Sequence, residues 1–193
     1  MELKDQIRID APRERVFAAL NDAEVLRQAI PGCEAIEATA DNEFTATVSA
    51  KVGPLKARFN GQVTLSDIVP PESYTLAGEG RGGPAGHAKV RSNVRLEPDG
   101  NATVLHYDVR ADIGGKLAQL GGSLVQKTAE KLAAEFFRNF EELVAGEAKG
   151  GDQAATAAEI ETTTAGAAVG GKLTWLWLAG GALALAVIAW LAL

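Results

Sequence analysis

The segment from Leu105 to Leu143 reads LHYDVRADIGGKLAQLGGSLVQKTAEKLAAEFFRNFEEL and combines the two main structural signals of this chain. From Leu105 to Ile113 it alternates apolar and polar side chains, with the two-residue period of a β-strand. After Gly114–Gly115 the apolar residues recur every three or four positions, which predicts a C-terminal amphipathic helix of about 28 residues. The predicted apolar stripe of this helix comprises Leu117, Leu120, Leu124, Thr128, Leu132, Phe136, Phe140 and Leu143.

Two short helices are predicted near the N-terminus, after a first extended segment. Asp10 followed by Pro12 is a helix-start signal, and this helix should run to about Leu20. Asn21–Asp22 begin the second helix, which Pro31–Gly32 end.

Between these helices and the long one, the alternation predicts six strands, hence seven in the whole domain. Short turns separate them and leave no room for crossover helices, so an antiparallel meander follows. The turns lie at Asp41–Asn42, Gly53–Pro54, Pro70–Pro71 and Asp99–Gly100. One curved sheet wrapped around the long helix buries all the apolar faces, which predicts an α+β helix-grip fold.

Several positions expected on the inner face are unusually small: Ala46, Ala50, Gly61, Gly78, Gly80, Gly121 and Gly122. Close packing requires that this missing volume be supplied. A ligand held between sheet and helix would supply it, or the sheet closes directly onto the helix. The sequence leaves both possibilities open.

The C-terminal part has a different composition. Residues 173–193 carry no charge and would span about 30 Å as a helix, which predicts a transmembrane tail anchor. In residues 145–172, 19 of the 28 residues are Ala, Gly or Thr, which indicates a flexible tether. The N-terminus has no apolar run of signal-peptide length. We therefore expect a domain of residues 1–144 in the cytoplasm, held to the inner membrane by a single C-terminal span.

Charge and composition argue against several functions. A net charge of −6 disfavours nucleic-acid binding. With two histidines and Cys33 as the lone cysteine, we expect no metal site. His87, His106 and Cys33 show no catalytic arrangement, so we predict no catalytic residues and a protein that is not an enzyme.

The segment GEGRGGPAG, from Gly78 to Gly86, contains the letters of a dinucleotide-binding fingerprint. No βαβ unit surrounds it, so we interpret it as a hairpin at the rim of the grip, either a gating loop or a plain turn. Nearby Arg81, Lys89, Arg91 and Arg95 form a basic stretch that could contact lipid headgroups, an acidic partner or only solvent.

Four segments together resemble the CoxG family of carbon monoxide dehydrogenase subunits: QAIPGCE at 28–34, SAKVGPLKARFNGQVTLSD at 49–67, GEGRGGPAGHAKV at 78–90 and IGGKLAQLG at 113–121. The resemblance covers the domain from Met1 to about Val144. His87 departs from it, since an aromatic residue is expected there.

The resemblance implies a START-type helix-grip domain of the SRPBCC class, with an apolar cavity between sheet and long helix. It further implies an accessory protein that ties a CO dehydrogenase-type molybdenum hydroxylase to the membrane and carries a respiratory quinone, menaquinone or ubiquinone, with no covalently bound cofactor. From the alternation and the helix stripe, the expected lining is Phe44, Val48, Phe59, Val63, Leu76, Tyr107, Val109, Leu120, Leu124 and Phe136.

The opening to the bilayer is expected at Ile30–Pro31 and at Gly82, Gly83 and Pro84, with the start of the long helix near Leu117 as the alternative. Another hypothesis is a ligand-free scaffold that recruits the enzyme to the membrane, or a START-fold lipid-binding protein of another role. A stripe of small residues in the span, Ala179, Ala182, Ala186 and Ala189, would also permit a homodimer.

Overall fold

A computed structural model describes residues 1–151, with side chains through Gly146. It shows a seven-stranded antiparallel sheet and a long C-terminal helix, so the predicted α+β helix-grip fold and strand number are confirmed. In chain order the elements are β1 (Glu2–Ile9), α1 (Arg13–Ala19), α2 (Ala23–Ala29), β2 (Cys33–Ala40), β3 (Glu43–Val52), β4 (Leu55–Val69), β5 (Ser73–Arg81), a 3-10 turn (Gly83–Ala85), β6 (His87–Asp99), β7 (Ala102–Gly114), α3 (Lys116–Gln119) and α4 (Gly122–Gly151).

The strands lie in the order β1-β7-β6-β5-β4-β3-β2, and every neighbouring pair is antiparallel. Strands β2 to β7 are therefore a meander, and β1 closes it against β7. The turns divide into two groups. The β3–β4 and β5–β6 turns, the α2–β2 turn, the end of β7 and α3 lie at one end of the sheet, here called the α3 end. The β2–β3, β4–β5 and β6–β7 turns and the start of α1 lie at the opposite end, here called the α1 end.

The two short helices are where the sequence predicts them, but the first begins later. Its N-cap is Pro12 rather than Asp10, because the Asp10 carboxylate pairs with Arg8 at the end of β1. Asp22 caps α2 as predicted, and its carboxylate accepts hydrogen bonds from the backbone N–H groups of Glu24 and Val25 at 2.8 and 3.3 Å.

The long helix is interrupted, which corrects the predicted stripe. Gly121, with φ of +89°, ends the short α3, and α4 starts afresh at Gly122. Within α4 the four-residue spacing from Leu124 to Phe136 drifts by about 40° per step around the helix, so Leu124 lies off the buried face and is 37% exposed. The buried face of α4 consists of Val125, Ala129, Ala133, Phe136, Phe137, Phe140 and Val144. The helix continues beyond Val144 to Gly151.

Aromatic rings join α4 to the sheet. Phe136 lies 5.0 Å from Phe137 and 5.5 Å from Phe140 between ring centroids, and Tyr107 of β7 stacks on Phe137 at 5.5 Å. On its other side α4 packs on α2, where the Asn139 side chain donates a hydrogen bond to the Ala29 carbonyl at 3.2 Å. These contacts fix the helix over the concave face.

Within residues 1–151, no helix combines the length and the apolar composition needed to cross a bilayer. The predicted span, residues 173–193, and the predicted tether beyond Gly151 lie outside the described residues.

Candidate ligand-binding site

A row of very small residues crosses the concave face of the sheet. Ala46, Gly61, Gly80 and Ala88 are successive cross-strand partners on β3, β4, β5 and β6, so none of these four strands carries more than a methyl group there. The flanking positions are large, since Phe44 and Val63 lie on one side and Val48 and Phe59 on the other. The row, here called the small-residue rung, is thus a line of minimal side-chain volume on the inner face.

The small-residue rung ends at an opening. Its next partner is Ile113 on β7, and Ile113 lines a pocket of about 430 Å³ between the β1–β7 edge and the start of α4. Most of this pocket is apolar, and we call it the mouth. Its lining comprises Met1, Glu2, Ala111, Asp112, Ile113, Ala118, Gly122, Val125 and Gln126.

Most of the predicted lining residues are buried in the structure. Phe44, Val48, Phe59, Val63, Leu76, Tyr107, Val109 and Phe136 are between 0% and 5% exposed. Leu120 is half-buried at the helix break, whereas the exposed Leu124 packs beside Gly53 of the β3–β4 turn. The mouth residues of α3 and α4 were not predicted, because the predicted stripe placed Leu124 rather than Val125 on the inner face.

The predicted opening at Ile30–Pro31 is not exposed at its central residue in this structure. Ile30 is only 3% exposed, because the C-cap of α2 packs its side chain into the core, and Pro31 is half-buried. A charge at position 30 would therefore be buried without a partner and would destabilise the fold. The mouth lies instead beside α3, close to the alternative position near Leu117.

The predicted gating loop is tied to its surroundings. Gly83 and Pro84 are exposed, but Gly82 is buried, and a Cβ there would lie 2.3 Å from Cε1 of Phe59. A Cβ on Gly86 would lie 2.0 Å from the Gly114 carbonyl oxygen. These close approaches need glycine and dock the loop against the β7–α3 junction.

Two tyrosines on the inner face remain neutral at physiological pH. Burial raises the pKa of Tyr107 to about 12, and the carboxylates of Asp5 and Glu130 contribute in the same direction. Burial also raises the pKa of Tyr74 well above its ordinary value. Both phenols therefore retain their protons in the folded state.

We expect the free energy of unfolding to fall as the pH rises from about 10 to about 12. The unfolded chain ionises its tyrosines near pH 10, whereas the folded state must hold Tyr107 neutral up to a pKa of about 12. Denaturant titrations at pH 8 and pH 11 measure this difference, and Tyr107→Phe should reduce it. If Tyr107→Phe lost as much free energy of unfolding between pH 8 and pH 11 as the wild type does, the assignment to Tyr107 would be contradicted.

The outer face of the sheet has two grooves, of about 600 and 650 Å³, lined mainly by polar side chains. His106 lies there, with Nε2 at 3.0 Å from Oε2 of Glu97. His87 lies at the α3 end of β6, and Cys33 is half-buried on edge strand β2, where burial raises its pKa. The three candidate catalytic residues are thus far apart, and no cluster of metal-ligating side chains occurs in the part of the chain that the structure describes.

The sequence profile of the CoxG family, described as a subunit of carbon monoxide dehydrogenase, matches residues 6–145 of the chain. The chain belongs to the CoxG family. None of the curated proteins compared with it matches. The family's description as a subunit of carbon monoxide dehydrogenase indicates an accessory role.

Solved structures support the same fold. A conserved protein from Geobacillus kaustophilus superposes with a TM-score of 0.72 at 26% identity, over 76% of this chain and 96% of that one. A START superfamily protein from Mycobacterium smegmatis gives a TM-score of 0.58 at 14% identity, over 75% and 97%. This CoxG-family domain therefore has the START fold.

Proposed function

We propose that the chain is a membrane-tethered accessory protein that carries an isoprenoid quinone and links a CO dehydrogenase-type molybdenum hydroxylase to the membrane. The observation that carries the ligand part is the small-residue rung, which crosses the inner face and ends at the mouth through Ile113. An apolar molecule held against this rung would supply the volume that the glycines and alanines leave out.

Two further observations support a carrier. The inner face is formed by apolar and aromatic side chains, which suit an isoprenoid chain at about 0.8 kcal/mol per buried CH₂. The uncharged residues 173–193 would hold the domain close to the bilayer that dissolves such a ligand. The family name supports the hydroxylase as partner.

The test is a reconstitution of electron transfer. Vesicles that contain menaquinone and the full chain are mixed with the hydroxylase and its substrate, and quinone reduction is followed by absorbance. The oxidation releases two electrons and two protons, which convert one quinone to a quinol. We expect rapid reduction only when hydroxylase and chain are both present. The same rate without the chain would contradict the proposal.

A further inference from the structure

One hydroxyl group of the inner face has no hydrogen-bond partner. Three polar side chains are buried in the described part of the chain: Thr75, Ser92 and Thr103. Thr103 donates to the Ala11 carbonyl at 2.7 Å, and Thr75 donates to Oδ1 of Asn93 at 3.2 Å. Ser92 is 0% exposed, and its Oγ has no partner. An unpaired buried hydroxyl is costly, so its presence needs an explanation.

The directly adjacent inward side chains around Ser92 are apolar. Its cross-strand neighbours are Leu76 on β5 and Val109 on β7, both buried on the concave face. Along β6 the preceding and following inward residues are Val90 and Val94, also buried. The nearest other hydroxyls of the inner face are the phenols of Tyr74 and Tyr107, the cross-strand partners of Val94. Ser92 is therefore the one aliphatic hydroxyl in this described section of the inner wall, among residues predicted to line the ligand.

The distance of Ser92 from the mouth determines which end of a bound ligand would reach it. Ser92 pairs with Val109, two inward positions beyond Ile113, so it lies about 13 Å along the strands from the rung that opens at the mouth. A molecule that enters head first would reach Ser92 with its head and leave its isoprenoid tail near the mouth.

We propose that Ser92 donates a hydrogen bond to a carbonyl oxygen of the bound ligand and thereby selects a quinone over a plain hydrocarbon. This rests on the proposed function, because it presupposes an apolar ligand on the inner face. A serine hydroxyl without a protein acceptor is an available donor, and the wall around it excludes competing water.

The experiment compares two ligands that differ only in the carbonyl oxygens. A 2-alkyl-1,4-naphthoquinone and the corresponding 2-alkylnaphthalene are titrated into the full chain, as wild type and as Ser92→Ala. We expect Ser92→Ala to weaken quinone binding about three- to tenfold, the range for one neutral hydrogen bond. Binding of the naphthalene should not change.

Stability serves as an internal check, because the substitution removes an unpaired hydroxyl and should leave the unfolding midpoint equal or higher. Ser66→Ala, on the exposed outer face, is the matched control and should leave the affinity for both ligands unchanged. Equal quinone affinity of wild type and Ser92→Ala would overturn the role of Ser92 alone. Binding of neither ligand by the wild type would overturn the proposed function itself.

A second inference rests on charge. Three segments meet at the α3 end, residues 44–66, 80–96 and 113–129, and none contains an acidic residue. The loops of the α1 end are instead rich in carboxylates: Asp10, Asp41, Glu43, Asp67, Glu72, Glu97 and Asp99. The domain is therefore polarised, with its mouth at the basic end although the whole chain is acidic.

Most acidic side chains near the α3 end form ion pairs with arginines. Glu34 pairs with Arg58 at 2.8 Å, Glu79 with Arg81 at 2.9 Å and Glu2 with Arg110 at 3.1 Å. Asp112, which lines the mouth, has Lys89 as its cross-strand neighbour.

Four lysines at the α3 end have no acidic partner in the part of the chain that the structure describes. They are exposed and form no ion pair within residues 1–151: Lys51, Lys56, Lys116 and Lys127. Lys51 and Lys56 are direct cross-strand neighbours on either side of the Gly53–Pro54 turn. Exposed apolar groups lie among them, namely Pro54, Pro84, Ala118 and Leu124.

The geometry points to the α3 end as the surface that docks on an anionic phospholipid bilayer. Phosphate groups would neutralise the four lysines, and the exposed apolar residues would enter the interface beside the mouth. The uncharged residues 173–193 independently favour a bilayer over an acidic protein as the occupant.

The test measures which end touches lipid. The full chain, with Cys33→Ser and a fluorophore on Pro54→Cys, is reconstituted into vesicles of phosphatidylcholine alone or with one-third phosphatidylglycerol. We expect a blue shift of the Pro54 probe only with phosphatidylglycerol, and none for a probe on Asn101→Cys at the α1 end. No shift on anionic vesicles would overturn the lipid assignment and favour an acidic protein.

Charge reversal provides the matched comparison. Lys51→Glu with Lys56→Glu should lower the docking equilibrium at least about 25-fold, since each lysine near an anionic membrane contributes about fivefold. Lys131→Glu with Arg138→Glu makes the same change in net charge on the exposed side of α4 and should have little effect. Equal losses of docking in both variants would show that only the net charge of the protein matters, and would overturn the assignment of the α3 end as the docking surface.

Discussion

Replacing Phe136 by alanine is expected to lower the free energy of unfolding by about 3–5 kcal/mol. Phe136 is fully buried and contacts the rings of both Phe137 and Phe140, with centroids at 5.0 and 5.5 Å. The change removes a large apolar surface and leaves a cavity where α4 meets the sheet. Urea titration followed by circular dichroism measures the loss.

Leu124→Ala is the matched control for this helix. Leu124 is 37% exposed at the rim, so its truncation should cost about 1 kcal/mol or less. If the two variants lost equal stability, the assignment of Phe136 to the buried side of α4 and of Leu124 to its exposed rim would be wrong. A loss below about 1 kcal/mol for Phe136→Ala would show that this position does not hold the helix to the sheet.

Ala118→Trp is expected to slow quinone uptake strongly while the fold stays intact. Ala118 is exposed on α3 and lines the mouth opposite Ala111 and Met1, so an indole there would fill the opening without entering the packed core. Transfer of quinone from vesicles to the full chain should become at least about tenfold slower, an added barrier of about 1.4 kcal/mol. The unfolding midpoint should stay near that of the wild type.

Ala134→Trp places the same indole on the exposed side of α4 and should transfer quinone normally. Unchanged transfer by Ala118→Trp would place the opening elsewhere. The same variant separates a carrier from a scaffold: if it still recruited the hydroxylase and supported quinone reduction at the wild-type rate, the chain would act by tethering alone.

The fold was largely predictable because its signals are periodic. Alternation over β2 to β7 and the turn residues between them indicated the meander, and Asp22 indicated the start of α2. The break at Gly121 was missed because the leucine spacing from Leu117 to Leu132 continues across it. Side-chain spacing reports the phase of a helix only when the backbone is continuous.

The site was predictable in part for the same reason. Alternation placed Phe44, Val63 and their neighbours on the inner face, but it could not show that four small residues form one rung, since that depends on register across strands. Ser92 had a signal, because it alternates inward between Val90 and Val94. Only the structure shows that its hydroxyl has no partner.

The inner face of this CoxG-family domain is expected to hold an isoprenoid quinone between the sheet and α4. The quinone can be measured by organic extraction of the full chain, purified from its native membrane, followed by mass spectrometry of the extract against the protein concentration. We expect a stoichiometric isoprenoid quinone in the extract of the wild-type chain. A chain free of any apolar ligand, with the same free energy of unfolding before and after extraction, would contradict the proposed carrier.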